Sequence, residues 1–452
     1  MKKKLSRLLS GDGVRARFSR GAGLTVLNFG SGNLLRLLSN LILTRLLFPE
    51  AFGLMALVQV FTTGLKMFSD TGLKTSIIRS ERGDDPDFLN TAWTLQILRG
   101  AILWLGTCAL AWPAAQIYGA PMLAQLLPVA GLNMLINGFA PTSVATANRN
   151  MTLGRVTMIN IGTQVLGITL MVVMAWWLQS VWALVIGGLV NTGATVILQH
   201  LTLPGIRNRL RFERAAFDEL FSFGKFVFLS TAVTFLINQG DKAILGGYIS
   251  LADMGVYNIG YFLGSVPFLL SRAVNSNVIF PLYRVAPVAE GPKNRAKVFK
   301  ARRMVSGACL LGAAIMAYSG VYLVDLMYDP RYSLAGPIVV MLSFTLVPQI
   351  VITSYGALLL AAGDAKNFFR INLMTAIVQT ALMFAGVIWF GIFGVLLAPA
   401  LALFATHPMR MKYLRRAQGH DGWGDCVLLG TGFLVTGGAC WLHWDEVVRL
   451  IS

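Results

Sequence analysis

Charge is scarce in this chain, and negative charge is scarcest. Lys, Arg, Asp and Glu together make up 13% of its 452 residues, with 20 acidic side chains against 38 basic ones. So little charge cannot cover a soluble surface, and a hydrophobic content of 55% points the same way. Cysteine is equally sparse. Cys108, Cys309, Cys426 and Cys440 all fall in apolar segments without paired short spacing, so they read as small packing residues, neither disulfides nor metal ligands. His200, His407, His420 and His443 are scattered over span ends and loops, a pattern that offers no metal site. A GxxxxGKS/T loop to cradle a nucleotide phosphate is missing, so the chain is not its own ATPase and no cofactor is expected. A cleavable leader is missing too. The basic start resembles the first part of a signal peptide, but the apolar segment behind it is too long and leads into Arg36, so it should persist as an anchor.

What the chain has is apolar length. Runs of about 20 residues are enough to cross the ~30 Å hydrocarbon core as helices. They recur at 20–46, 52–78, 88–112, 121–146, 156–178, 181–203, 220–248, 254–283, 303–326, 336–362, 368–390 and 392–410, with a shorter run at 426–443. The expected fold is all-α: a polytopic membrane protein with 12 core transmembrane helices in two six-helix lobes, plus about one extra C-terminal hydrophobic helix. The domains would be a basic arm at 1–19, an N-terminal lobe at 20–203, a linker at 204–219, a C-terminal lobe at 220–412, and a basic loop with the last helix at 413–452. The 46 glycines suit helices packed closely through small residues.

A net charge of +18 first suggests nucleic acid, but its distribution answers otherwise. On an alternating topology one side collects Lys2, Lys3, Lys4 and Arg7, then Arg207, Arg209, Arg211 and Arg214, then Lys293 to Arg303, then Arg410 to Arg416. The other side has Arg331 and Arg449. The positive-inside rule therefore puts the N-terminus in the cytoplasm, with the basic face drawn to anionic membrane lipids. No nucleic-acid partner is expected, and the chain should be monomeric. The stretch 284–303 reads as a solvated or headgroup-facing surface helix.

The loops decide between transport and chemistry. Those on the outer side are short: Phe48–Ala51, Pro113–Ala120, Gln179–Ser180, Ile249–Asp253, Met327–Ala335 and Gly391. None can form a folded domain or offers an obvious carboxylate pair for glycosyl transfer, and Asp329–Pro330 reads as a turn. A membrane glycan polymerase or ligase is therefore the less favoured class, and no enzyme is expected.

A second set of charges lies inside the apolar spans: Arg36, Arg45, Lys66, Lys74, Arg99, Lys225, Lys242 and Arg272, accompanied only by Asp70 and Asp241. A basic side chain at the bilayer centre costs roughly 2.5–3.5 kcal/mol on insertion scales, so such residues face a bundle interior or an aqueous cavity. Arg36 and Arg272 stand far from either end of their spans and, at about 1.5 Å per residue, cannot easily snorkel out. Lys66, Asp70 and Lys74 share one helical face, either as a self-neutralising ladder or as a cationic strip. Asp241 and Lys242 are adjacent and point in different directions, so one of them should pair with a neighbouring span. The corners 47–56 and 249–258 both place a short turn before a glycine that opens the next helix, Gly53 and Gly255. Six spans separate them, which gives a parallel repeat. A central cavity between the halves would then be lined by the charged spans.

Four motifs carry a family resemblance. Leu43–Thr44–Arg45–Leu46–Leu47–Phe48–Pro49–Glu50–Ala51–Phe52–Gly53 resembles the first corner of polysaccharide repeat-unit flippases, with Phe48 where that family often has Gly. Phe68–Ser69–Asp70–Thr71–Gly72–Leu73 is similar to their second-span motif, Ala147–Asn148–Arg149–Asn150–Met151 to their fourth-loop basic motif, and Ala362–Gly363–Asp364–Ala365–Lys366 to the turn after their tenth span. The resemblance covers about residues 20–412. It implies the multidrug/oligosaccharidyl-lipid/polysaccharide exporter superfamily, with two lobes moving lipid-linked oligosaccharide by alternating access for export of a surface polysaccharide. The polymerase and co-polymerase of the same pathway would be natural partners. On that reading Arg36, Lys66, Arg99 and Arg272 would bind an undecaprenyl-diphosphate-linked glycan, while Asp70, Asp241, Lys242 and Lys74 would serve as counter-ions or coupling groups. A drug/cation antiporter or a peptidoglycan-precursor flippase of the same superfamily stays open as the alternative, although an antiporter would be expected to have a more acidic or apolar cavity.

Overall fold

In a computed structural model, the chain is described over residues 14–69, 72–150 and 152–451, with side chains from residue 30 onward except 221–229. The described backbone is all-α. The apolar runs form α1 (Val14–Leu46), α2 (Pro49–Phe68), α3 (Leu73–Arg79), α4 (Pro86–Ile117), α5 (Leu123–Gly138), α6 (Ser143–Arg149), α7 (Gly154–Leu178), α8 (Trp182–Thr202) and α9 (Arg214–Leu245). There follow α10 (Leu251–Gly264), α11 (Val266–Val274), α12 (Phe280–Val285), α13 (Pro292–Met327), α14 (Ala335–Thr345), α15 (Val347–Ala361), α16 (Ala365–Ala405), α17 (His407–Arg416), α18 (Gly422–Leu442) and α19 (Trp444–Val448). Seven of the described helices are long and apolar enough to cross a membrane, and two bent pairs, α5 with α6 and the Pro330–Thr345 segment with α15, pass that test together. This is a multi-pass membrane fold.

Local chemistry explains the ends. Asp85 caps α4 by accepting from the Asp87 N–H, with Pro86 supplying the preset first φ. Ser250 caps α10 by accepting from the Asp253 N–H. Gly363, at φ 77, reverses the chain after α15, and Asp364 caps α16 through the Asn367 N–H. That pairing is the physical content of the Gly363–Asp364 motif. Within α16 the backbone breaks at Gly391 (φ 56, ψ −137), so two helices meet at the turn expected there.

The chain divides into two compact units, residues 1–47 with 58–232, and residues 48–57 with 233–452. In the first, α4 packs on α5, α7 on α8, and α1 on α7. In the second, α14 lies against α13 and α10, and α18 against α13. The opening of α2 belongs to this second unit and meets α10 there. A Cβ on Gly53 would fall 2.0 Å from the Leu251 carbonyl oxygen, and one on Gly255 2.0 Å from the Pro49 carbonyl oxygen. Phe52 sits edge-on to Tyr332 beside this contact, at 5.9 Å between ring centroids.

Two expectations need correction. Lys66 and Lys74 do not share one helix face, because α2 ends at Phe68 and α3 starts afresh after Gly72 (φ 65). A left-handed residue ends the regular i, i+4 register. Asp70 lies outside the described residues, as does the side chain of Lys225. The 284–303 stretch is not simply a solvated helix either, since Arg302 near its end is among the most deeply buried side chains, at 1% exposure.

Candidate functional site

Each unit holds an open cavity whose lining includes charged and amide side chains. In the first unit a cavity of about 580 Å³ is lined by Lys66, Lys74 and Arg99 together with Gln96, Asn137 and Gln199. The break between α2 and α3 builds this wall. Because α2 stops at Phe68, its last carbonyls need partners, and Arg99 on α4 supplies them by donating to the Lys66 carbonyl (3.0 Å) and the Ser69 hydroxyl (3.1 Å). Part of the Arg99 guanidinium is thereby used to seal a helix end. Gln96, one turn earlier, donates to the carbonyls of Asn137, Gly138 and Ala140, closing the end of α5 in the same way. Lys66 and Lys74 thus come to one cavity from two helices, each with its side chain exposed.

The second cavity, about 400 Å³, is lined by Asn238 and Asp241 of α9, Tyr257 and Tyr261 of α10, and Arg272 of α11. Arg272 is exposed, lies over the Phe268 ring at 5.8 Å and approaches the Asn238 side-chain amide oxygen, Oδ1, at 3.4 Å. It stands two residues before the α11 terminus, where the helix loosens into a π-turn, Asn275–Ile279. Asp241 and Lys242 are both buried. The Asp241 carboxylate accepts from the Tyr257 hydroxyl at 2.6 Å, while its other oxygen is buried without a hydrogen bond. The Lys242 ammonium lies 5.4 Å from the Tyr261 ring centroid. The pairing expected of one residue is therefore shared, with both reaching α10. Arg36 is exposed on α1 and lines neither cavity.

Sequence reasoning missed two features. Arg302 and Arg303 of α13 form a buried network with the start of α18. Arg302 pairs with Asp425, donates to the Ser354 hydroxyl at 2.6 Å and stacks 3.8 Å above the Tyr355 ring, whose hydroxyl donates to the same Asp425. Arg303 pairs with Asp421 through both oxygens. Burial pushes the Asp421 carboxyl up, but the Arg303 hydrogen bonds and charge outweigh it and hold the group below its ordinary value. The only sequence signal was an acidic pair, Asp421 and Asp425, flanking the start of a hydrophobic helix. The second miss is Arg410 of α17, read as a loop charge, which lines the second cavity.

Comparison with known proteins locates these features. The family described as polysaccharide biosynthesis protein matches residues 42–337. The chain is 21% identical over 351 residues to the lipopolysaccharide biosynthesis protein WzxC of Escherichia coli (strain K12), covering 77% of this chain and 70% of that one. It is 21% identical to the teichuronic acid biosynthesis protein TuaB of Bacillus subtilis (strain 168), covering 66% of this chain and 62% of the relative. With the succinoglycan biosynthesis transport protein ExoT of Rhizobium meliloti (strain 1021) it shares 23%, over 59% of this chain and 53% of the relative. In fold it resembles the lipid II flippase MurJ in an inward closed conformation, with a TM-score of 0.68 at 12% identity over 94% of this chain and 99% of that one. An inward-facing multidrug resistance transporter of the MATE family matches at a TM-score of 0.58 and 16% identity, over 92% and 96%.

Proposed function

The chain belongs to the polysaccharide biosynthesis protein family, within the multidrug/oligosaccharidyl-lipid/polysaccharide exporter superfamily, and from that premise we propose that it carries undecaprenyl-diphosphate-linked oligosaccharide from the cytoplasmic to the periplasmic leaflet. The observation that carries this reading is the sign of the embedded charge. Lys66, Lys74 and Arg99 line one cavity and Arg272 the other, whereas Asp241 is engaged by Tyr257 and lies beside Lys242. A diphosphate and a sugar headgroup cannot cross hydrocarbon unaided, and cationic donors in a polar cavity replace their hydration while the polyprenyl tail stays in lipid. Guanidinium groups match phosphate oxygens through their planar fork of donors. Alternating access of these cavities to the two leaflets would complete the cycle. An ion gradient, the membrane potential or withdrawal of product would drive it, with Asp241 as the group placed for coupling.

The cationic lining favours this substrate over the cation of a drug antiporter. The N-terminus and the 204–219 segment would face the cytoplasm. Purified protein in liposomes loaded with a fluorescent undecaprenyl-diphosphate oligosaccharide tests the reading. Accelerated quenching of the far-leaflet pool supports it, and a rate equal to that of protein-free liposomes rejects it.

A further inference from the structure

Arg410 occupies an unusual position. It lies one turn into α17, the short helix between α16 and α18, and lines the second cavity. Its Nε is sealed from solvent and has no hydrogen-bond partner among the described residues. Arg302 and Arg303, in the same unit, each have a carboxylate, Asp425 and Asp421. A half-buried guanidinium with one N–H sealed from solvent and unpaired is costly to the fold. It is retained most economically where a ligand completes it.

Its place in the cavity indicates which ligand. Gly356 and Phe368, which flank the tight turn at Gly363, line the cavity with Arg410. Asp241 and Tyr257, which flank the α9–α10 turn at the opposite end of their helices, line it too. Met409 and Leu414 of α17 pack with Leu358, Leu359 and Phe368 beside the 361–365 turn, so Arg410 marks that end of the cavity, while Arg272 lies near the end of α11. Between them the lining carries neutral polar groups, among them Gln349, Thr353 and Asn372. A lipid-linked substrate held by its tail in the cytoplasmic leaflet presents its diphosphate at that end, and the guanidinium fork suits phosphate oxygens.

We propose that Arg410 is the loading site of the second cavity, receiving the diphosphate of the polyprenyl carrier before the headgroup passes on to Arg272. The proposal rests on the flippase reading above and adds a residue and an order of contacts to it.

The test uses full-length protein in lipid nanodiscs, with undecaprenyl diphosphate as probe, undecaprenol as its neutral control and glucuronate as a soluble competitor. Wild type should bind the diphosphate more tightly than the alcohol. Arg410→Gln should weaken diphosphate binding roughly tenfold or more, the scale of a lost charge-assisted hydrogen bond. Arg410→Lys should retain part of it. Because Gln removes the sealed, unpaired Nε, the melting temperature of Arg410→Gln should equal or exceed that of wild type, which a structural role would not give. Wild-type affinity for the diphosphate in Arg410→Gln overturns the proposal alone. Loss of glucuronate competition in that variant, with diphosphate binding unchanged, also overturns it, because Arg410 would then read an acidic sugar. A wild type that does not distinguish diphosphate from alcohol overturns the proposal and the flippase reading together.

Discussion

Gly53 and Gly255 face one another across a contact in which each leaves room for the other corner's backbone. The Gly53 position abuts the Leu251 carbonyl and the Gly255 amide nitrogen, and the Gly255 position abuts the Pro49 carbonyl and the Gly53 amide nitrogen. The reciprocity is that of two equivalent corners meeting, and it explains why both corners carry glycine at the same offset from the turn.

Gly53→Ala and Gly255→Ala should each destabilise the protein, because the added methyl at 2.0 Å from a carbonyl oxygen cannot be relieved by a side-chain rotation. Overpacking of this kind costs about 1–3 kcal/mol, occasionally more. The double variant should cost less than the sum, since one backbone shift relieves both clashes. Thermal melting in detergent of the two single variants and the double checks this; wild-type melting of either single variant contradicts the contact.

The buried pair Arg302 and Asp425 should behave as a unit. Asp425→Asn or Arg302→Met alone leaves a buried charge unpaired, at about 3–5 kcal/mol, whereas the double change to apolar residues of similar volume should recover most of that loss. A double-mutant cycle on melting temperature measures the coupling. Additive losses would mean the pair does not hold α18 to α13.

Asp421 gives the acid side of the stability profile its shape. Its carboxyl is held below its ordinary value of 3.8, so its contribution is fully present above that pH. The contribution is lost as the pH falls through the depressed folded value. Asp421→Asn should be less stable at neutral pH and show a flatter fall below about pH 4, the ordinary carboxylate range. Parallel acid limbs for the two proteins would contradict the assignment.

Much of this was legible in the sequence, and the residues show why. The apolar runs set the helices, and turn signals such as Pro49, Pro86, Gly363 and Gly391 set their ends, because both are local properties. The corner glycines could be matched as a repeat, yet nothing in the sequence said that they touch. The break after Phe68 was hidden because Lys66 to Lys74 keeps helical spacing across a glycine, and only the left-handed φ of Gly72 reveals it. Arg302 and Asp425 find each other across 123 positions, and Arg410 reaches its cavity through the packing of helices remote in sequence. Such contacts are tertiary, and a hydropathy pattern carries no record of them.

Asp241 is the described carboxylate that lines a charged cavity, and one of its oxygens is buried without a hydrogen bond. Asp241→Asn should therefore change the pH or ion dependence of transport in vesicles while Tyr257 keeps a partner. An unchanged dependence in a well-expressed variant would leave the membrane potential or product withdrawal as the drive.

The central claim is that embedded cations bind the anionic headgroup. Transport of an undecaprenyl-diphosphate oligosaccharide across liposomes should be compared for wild type, Arg272→Ala, Arg272→Lys and Lys66→Ala, the two residues that line the cavities, at equal reconstitution. The account predicts loss of transport in both alanine variants and partial transport in the lysine variant, where charge remains but the bidentate geometry is gone. Wild-type rates in both alanine variants would contradict it.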